Sequence, residues 1–391
     1  MDTVCKLDAC AGCMACIDIC PVGAIRIKDM LESYNAEINM DKCIHCNLCK
    51  NICQYNRTPE KVKPIGWKQG WASDETVRQN SSSGGAATAI MRAFVENGGA
   101  VFSCYYSEGA FRYGMAESIS EIDKFAGSKY VKSNPSGIYK KVKECLKNGR
   151  KALFIGLPCQ VAACKNYVGQ KNCESLYTID LICHGTPSPE LLEKFLNDYN
   201  MALKQVNSIE FRRNNYFSVD TNRRYLSPRG TCDRYTLGFL RALFYTDNCY
   251  SCKYAGFERI SDITLGDSWG AELSQEDSQK GISLVLWQTE KGKELLKMSD
   301  LYLVDVDIEK AISNNGQLKQ PSIPHNSRKK FFVSIANGKS FGKAVFMSMP
   351  YLCTKQLIKA ALVKLHFING GMGGYGIAIE QKTKSLKGIQ I

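Results

Sequence analysis

Between residues 24 and 38 the chain alternates apolar and polar positions twice, in Ala24-Ile25-Arg26-Ile27 and in Asn35-Ala36-Glu37-Ile38. Alternation with period two buries one side of an extended chain, so the two runs predict a short hairpin. From Gly70 onward the period changes. An apolar stripe at helical spacing runs over Ala86–Glu96 and stops at Gly98-Gly99. Strands are predicted at 100–106, 151–155 and 176–182, and later at 208–212, 262–265, 283–287 and 301–306. Helices are predicted at about 136–147, in a short stretch after Pro158, and from Ser188-Pro189 to about 199, where proline at the first helical position is pre-organised for the turn. Strand-turn-helix alternation argues for an α/β core. A linker at 57–68, carrying Pro59, Pro64 and several lysines, separates that core from the segment before it.

Three predicted strands run into unusual loops: Gly156-Leu157-Pro158-Cys159-Gln160, Cys183-His184-Gly185-Thr186-Pro187 and Gly266-Asp267-Ser268-Trp269-Gly270. Ligands of open α/β sheets gather at the carboxyl ends of strands.

Composition adds a redox theme. The chain has 391 residues, 44% of them hydrophobic, enough for two or three domains. Met1-Asp2-Thr3-Val4-Cys5 opens polar, and Lys355, Lys359 and Lys364 interrupt the best apolar run near the C-terminus. A soluble, cytoplasmic protein is expected. In that setting 19 cysteines suggest metal and redox work rather than disulfides. Oxygen damages exposed iron-sulfur clusters, which favours an anaerobic host. The net charge of +13 sits mostly at the end: residues 321–391 hold eleven Lys/Arg against the single acid Glu380. Residues 343–364 predict an amphipathic helix that Pro350 kinks or breaks. Its lysines read as a solvated face, or as a surface for an acidic partner or a membrane. Nucleic acid is not an expected partner.

The most specific motif is a doubled one: Cys10-x2-Cys13-x2-Cys16-x3-Cys20-Pro21 and Cys43-x2-Cys46-x2-Cys49-x3-Cys53. Three thiolates at this spacing wrap one cube of iron and sulfide, and the fourth reaches the other cube. Cys10, Cys13, Cys16 and Cys53 are thus candidates for one 4Fe-4S cluster, and Cys20, Cys43, Cys46 and Cys49 for a second. The segment resembles a two-cluster bacterial-type ferredoxin. Structural zinc uses more widely spaced pairs and fits poorly. Gln54 replaces the proline expected after Cys53, which predicts a looser loop there. His45 is expected at the surface or behind the ligands.

Further on, Ser82-Ser83-Gly84-Gly85, Gly127-Ser128-Lys129-Tyr130, the three strand-end loops and Cys249-x2-Cys252 occur in an order that resembles the family of coenzyme F-420 hydrogenase/dehydrogenase beta subunits, over about 70–307. The resemblance implies an FAD-binding flavoprotein core and coenzyme F-420 as the hydride partner. The fold expected for the whole is an α+β ferredoxin-like two-cluster head (1–58), an α/β flavoprotein core in two parts (70–150 and 151–320) and a basic, partly helical tail (321–391). Cys159, Cys183, Cys249 and Cys252 supply four soft ligands for a third 4Fe-4S cluster, with structural zinc or unrelated buried thiols as the alternatives. Cys5, Cys104, Cys145, Cys164, Cys173, Cys232 and Cys353 default to small, mostly buried apolar side chains.

The serine-glycine run opens a helix, where free N–H groups can seat phosphate oxygens. Ser82, Ser83, Gly84 and Gly85 are candidates for the FAD pyrophosphate or flavin edge; an ordinary cap and turn is the alternative. The resemblance adds Lys129, Tyr130, Ser133 and Gln160 as cofactor contacts. Asp267 and Trp269 would lie near the flavin or the third cluster, or simply form a strand-end turn. His184 is a candidate proton carrier, or a loop histidine without a catalytic role. An iron-sulfur flavoprotein oxidoreductase is the expected function, exchanging electrons with a redox partner protein or a small-molecule donor or acceptor. The alternatives are a ferredoxin-dependent flavin reductase acting without coenzyme F-420, and an electron-relay subunit of a larger complex.

Overall fold

The computed structural model describes residues 2–368 except 214, 215, 223 and 229. The head holds an antiparallel hairpin of β1 (Ile25–Asp29) and β2 (Tyr34–Ile38), in the register Ile25 to Ile38. The core strands follow in chain order: β3 (Gly66–Ala72), β4 (Ala100–Ser107), β5 (Ala110–Ala116), β6 (Ala152–Gly156) and β7 (Leu176–Leu181). Next come β8 (Ile209–Arg213), β9 (Tyr216–Thr221) and β10 (Arg224–Tyr225), then β11 (Ile263–Asp267), β12 (Ser283–Trp287) and β13 (Leu301–Val304). Eight of them form one sheet in the order β13-β3-β12-β11-β7-β6-β4-β5; β8, β9 and β10 form a second, small one.

The four central strands β4, β6, β7 and β11 run parallel, with antiparallel strands on both flanks. Parallel strands covered on both faces read as continuous apolar runs, and Ala152-Leu153-Phe154-Ile155 is buried throughout. Alternate side chains face opposite ways. Ala152 and Phe154 pack with Tyr139, Val142 and the helix Pro158–Val168, whereas Leu153 and Ile155 pack with Ile90 and Phe94 of the helix Ala86–Glu96. The head sits on the first of these faces, where Cys13, Ala15 and Ile52 join the core cluster. One sheet therefore spans both sides of residue 150, and its parallel strands deliver the loops after 156, 181 and 267 to one edge.

Four of the described strands escape the periodicity reading: β3, β5, β9 and the two-residue β10. β3 begins inside the expected linker, because Gly-Trp-Lys-Gln-Gly carries no alternation. β5 returns from β4 through a tight turn at Glu108 and Gly109, both with positive φ. β9 pairs with β8 in the small sheet. The predicted 343–364 helix is two helices, Phe341–Ser348 and Pro350–Lys364, with Pro350 opening the second. Much of the expected basic tail is core: Phe331, Phe341, Val345 and Cys353 are buried against Phe195, Tyr235 and Phe244. Past Cys353 its apolar residues turn outward, with Leu357, Ile358, Leu365 and Phe367 exposed. Among the described residues no helix is long and apolar enough to cross a membrane. The Gly370–Gly374 stretch lies outside the described residues.

Candidate redox centres

The two cysteine runs fold alike. Gly12 and His45, each the second residue between the first two cysteines of its run, have φ of 67° and 56°. Met14 and Asn47, the next equivalent pair, have φ of 61° and 56° and start the helices Ala15–Ile19 and Leu48–Ile52. Left-handed backbone at non-glycine positions costs energy and persists where the surroundings demand it. Here it turns N–H groups onto sulfur: Gly12 N donates to Cys10 Sγ and His45 N to Cys43 Sγ, both at 3.4 Å, and Ala24 N to Cys20 Sγ at 3.2 Å. His45 contributes backbone, and its side chain is exposed.

The fourth cysteine of each run crosses over. Cys10, Cys13, Cys16 and Cys53 line one hollow, together with Cys5, Val4 and Ala36. Cys20, Cys43, Cys46 and Cys49 line another, rimmed by Val22, Met40, Ile44 and Leu48. The first set is buried; in the second Cys46 is exposed. Cys5 lies in the inner hollow as a fifth thiol, beside Cys10 and Cys53, and Cys173 is exposed rather than buried. Among the described residues no three His, Cys, Asp or Glu side chains converge on a single metal ion; in the head the thiols line the walls of hollows. The loop after Cys53, expected to be loose without a proline, is tied to the core instead. Tyr254 OH donates to Gln54 O at 2.8 Å and Lys253 Nζ to Tyr55 O at 2.7 Å.

These two bonds belong to a larger pattern. Tyr139 OH donates to Cys13 O at 2.8 Å, Lys132 Nζ to Ala11 O at 3.0 Å, and Asn166 Nδ2 to Ile52 O and Arg57 O. Head side chains accept from the core as well: Asp18 Oδ1 from Gly137 N at 2.7 Å, at the start of the helix Ile138–Lys147, and Asp29 Oδ2 from Ser188 Oγ. An acid at a helix N-terminus is favourable. Core donors thus grip head carbonyls right beside the inner cysteines.

On the core side, Cys159 lies in the first turn of the helix Pro158–Val168, Cys183 follows β7, and Cys249 and Cys252 flank the end of the short helix Asp247–Tyr250. The four thiols feel one another. Burial pushes Cys159 up to about 12, with Cys252 and Cys249 adding to the rise. Burial raises Cys183 well above the usual thiol range, and Cys249, Cys159 and Cys252 add to it. Metal binding would replace those protons. Thr186 N donates to Cys249 Sγ at 3.4 Å, and Thr246 Oγ1 lies 3.6 Å from the same sulfur. Cys159 and Cys252 pack against the cluster that contains Cys13, Tyr139 and Tyr254, so the core set and the inner head set share one interface.

The other candidates divide into two groups. Ser82, Ser128, Tyr130, Asp267, Trp269 and His184 converge, and the residue that joins them is Arg212, which sequence reasoning missed. Arg212 Nη1 meets Asp267 Oδ2 at 2.6 Å, and its guanidinium lies 4.6 Å from the Phe217 ring and 5.3 Å from Trp269. Its carbonyl accepts from Ser82 Oγ, which accepts from Ser128 N at 2.7 Å. Tyr130 stacks on Phe239 at 4.4 Å. His184 is exposed; the charges of Asp267 and Arg212 act on its imidazole in opposite senses. Lys129 Nζ donates to Phe125 O and Ala126 O, and burial brings its pKa down to about 8.

Ser133 and Gln160 do something else. Gln160 Nε2 donates to Ser133 Oγ at 2.9 Å, and its Oε1 accepts from Tyr113 OH and Leu157 N. The pair braces the Cys159 turn against the loop 127–133. Ser83 Oγ donates to Ile282 O, and Gly84 packs so tightly that an added Cβ would lie 2.5 Å from Gly70 O. The serine-glycine run is therefore shaped by packing as well as by any ligand. Two features still fit an anionic, hydrogen-bonding cofactor. The helix Ala86–Glu96 starts at buried Gly85 and Ala86 without a side-chain cap, leaving N–H groups to be met. Among the described residues, Asp267 Oδ1 is buried without a hydrogen-bond partner.

Residues 9–57 match the family model described as 4Fe-4S dicluster domain. Residues 68–138 and 149–309 match the N-terminal and C-terminal models of the coenzyme F420 hydrogenase/dehydrogenase beta subunit. One of the F(420)H(2) dehydrogenase subunits of Methanosarcina mazei is 22% identical over 187 residues, 45% of this chain and 53% of that protein. One of the subunits of the ion-translocating oxidoreductase complex of Methanosarcina acetivorans is 44% identical over 50 residues, 13% of this chain and 17% of that protein. The chain thus spans about half of the first relative and under a fifth of the second. A xenon-derivatised structure of the F420-reducing NiFe hydrogenase complex from Methanosarcina barkeri aligns with a TM-score of 0.46 and 18% identity, covering 71% of this chain and 96% of that one.

Proposed function

Because the chain belongs to the family of coenzyme F420 hydrogenase/dehydrogenase beta subunits, with a 4Fe-4S dicluster domain in front, we propose that it is an iron-sulfur flavoprotein oxidoreductase that exchanges hydride with coenzyme F420 at one end and single electrons with a protein partner at the other. The observation that carries this is the order of the thiol sets. Cys20, Cys43, Cys46 and Cys49 lie outermost, Cys10, Cys13, Cys16 and Cys53 inside, and Cys159, Cys183, Cys249 and Cys252 across the interface. Cys183 is followed directly by His184, close enough for the charges of Asp267 and Arg212 to act on it.

Three 4Fe-4S clusters would occupy the three sets and supply one-electron carriage. FAD, when bound, would supply the conversion between a two-electron hydride and single electrons. Ser82, Ser128, Lys129 and the uncapped start of the helix Ala86–Glu96 would hold its phosphates. Tyr130, Arg212, Asp267 and Trp269 would flank its ring, and Asp267 Oδ1 would accept one of its hydrogen bonds. The aromatic and guanidinium packing of Arg212, Phe217 and Trp269 keeps water from that wall. The partner would dock at the head, where Val22, Met40, Ile44 and Leu48 are exposed around the outer thiols.

Anaerobic protein loaded with FAD tests the proposal directly. Reduced coenzyme F420 is expected to bleach the flavin absorbance. Bleaching by reduced ferredoxin alone would instead support the second reading, a ferredoxin-dependent reductase. A flavin that answers neither donor would leave only an electron-relay role within a larger complex.

A further inference from the structure

We propose that Lys132 is a fixed positive charge between two iron-sulfur clusters, one in the inner head set and one in the core set, and that it raises the reduction potential of both. The inference rests on the occupancy proposed above. Lys132 is only 4% exposed. Its side chain, its backbone and its neighbour each reach a different part of the junction. Nζ donates to Ala11 O, beside Cys10, at 3.0 Å. The backbone N–H donates to Pro187 O at 2.9 Å, in the loop that carries Cys183. Ser133, next in the chain, accepts from Gln160, beside Cys159. Tyr34 completes the seat, with the ammonium 5.1 Å from its ring centroid.

A cubane held by four thiolates carries net negative charge, and reduction adds one more. Two such charges repel across a buried, low-dielectric interface. A cation held between them lowers the energy of the reduced form more than that of the oxidised form. The Nζ end of Lys132 sits at Ala11 O, next to Cys10, and its backbone end at Pro187 O, in the loop of Cys183, so one side chain's length joins the two sets. The neighbouring cations are placed differently. Arg259 is paired with Asp180, and Lys253 donates to Tyr55 O, on the exposed side of the head. Neutral donors such as Tyr139 already grip the head, so a staple need not be charged. The outer set lines a separate hollow that does not include Ala11, the residue Lys132 grips, and so serves as an internal control.

The test is a redox titration of the anaerobic full chain, followed by electron paramagnetic resonance, with iron and sulfide counted in every sample. The variants are K132M, K132Q, K132R and Y139F. In K132M and K132Q two of three cluster signals are expected to titrate lower, with about a tenfold smaller reduced-to-oxidised ratio at fixed potential, or about 59 mV for one electron. The third stays, K132R restores the two, and Y139F leaves all three in place. Unchanged midpoints in whichever neutral variant keeps its iron overturn the proposal, as does an equal shift in Y139F. Loss of iron from both neutral variants, but not from K132R, also overturns it, since the residue would then serve assembly. Wild-type protein with only two cluster signals sinks the occupancy reading instead, before any variant is compared.

Discussion

Arg259 and Asp180 are fully buried, and the guanidinium meets Asp180 Oδ1 at 2.8 Å while donating to the carbonyls of Tyr254 and Leu181. Those bonds set the turn that follows Cys252. Removing one partner strands a buried charge, at a cost of about 3–5 kcal/mol. Arg259→Met is therefore expected to lower unfolding stability by that order in a denaturant titration, and to loosen iron held by the core set. Lys129 gives a pH signature. With its pKa lowered to about 8, it is cationic below that pH and neutral above it. If its ammonium meets a cofactor phosphate, FAD binding weakens as pH rises through 8, by about tenfold at pH 9, one unit above the pKa. A fluorescence titration should show this slope in the native chain and none in Lys129→Met. Little of this scale was legible in the sequence. Nothing in Phe211-Arg212-Arg213 says which arginine is buried, and the choice depends on Asp267, 55 residues away.

At the scale of elements, packing decides what periodicity leaves open. The helix Ala86–Glu96 was readable because its buried face repeats at helical spacing. β3 was not, since it takes its place from β12 and β13 on either side and tertiary pairing overrides a weak local pattern. The serine-glycine turn lies against that strand. A Cβ at Gly84 would meet backbone on two sides, Gly70 O at 2.5 Å and Ser283 N at 2.8 Å. Backbone cannot swing aside as a side chain can, so Gly84→Ala should cost about 1–3 kcal/mol. Thermal unfolding checks the stability, and a parallel fall in bound flavin is expected. The cysteine runs sit at the other extreme. Their geometry is local, three cysteines within seven residues, so their spacing matches which thiols share a hollow.

Across the whole molecule the chain is graded from exposed to buried. The outer set opens to solvent at Cys46, while the inner and core sets face each other beneath Tyr139 and Tyr254. Timed exposure to air should therefore release about four irons, one cluster's worth, before the remainder. Iron lost at a single rate would contradict that gradient. The head's position on the core was the least legible feature. It rests on contacts such as Tyr139 to Cys13 and Lys132 to Ala11, more than 100 residues apart in sequence, which no periodicity carries. The core set was suggested only by the order of its motifs; the structure adds that Cys159 and Cys252 pack against the cluster that holds Cys13. The most direct measurement is the iron, sulfide, zinc and flavin content of anaerobically purified protein. About twelve irons, twelve sulfides and one FAD per chain are expected. About eight irons with one zinc would show that the core thiols hold a structural ion rather than a cluster, and would break the path at its centre.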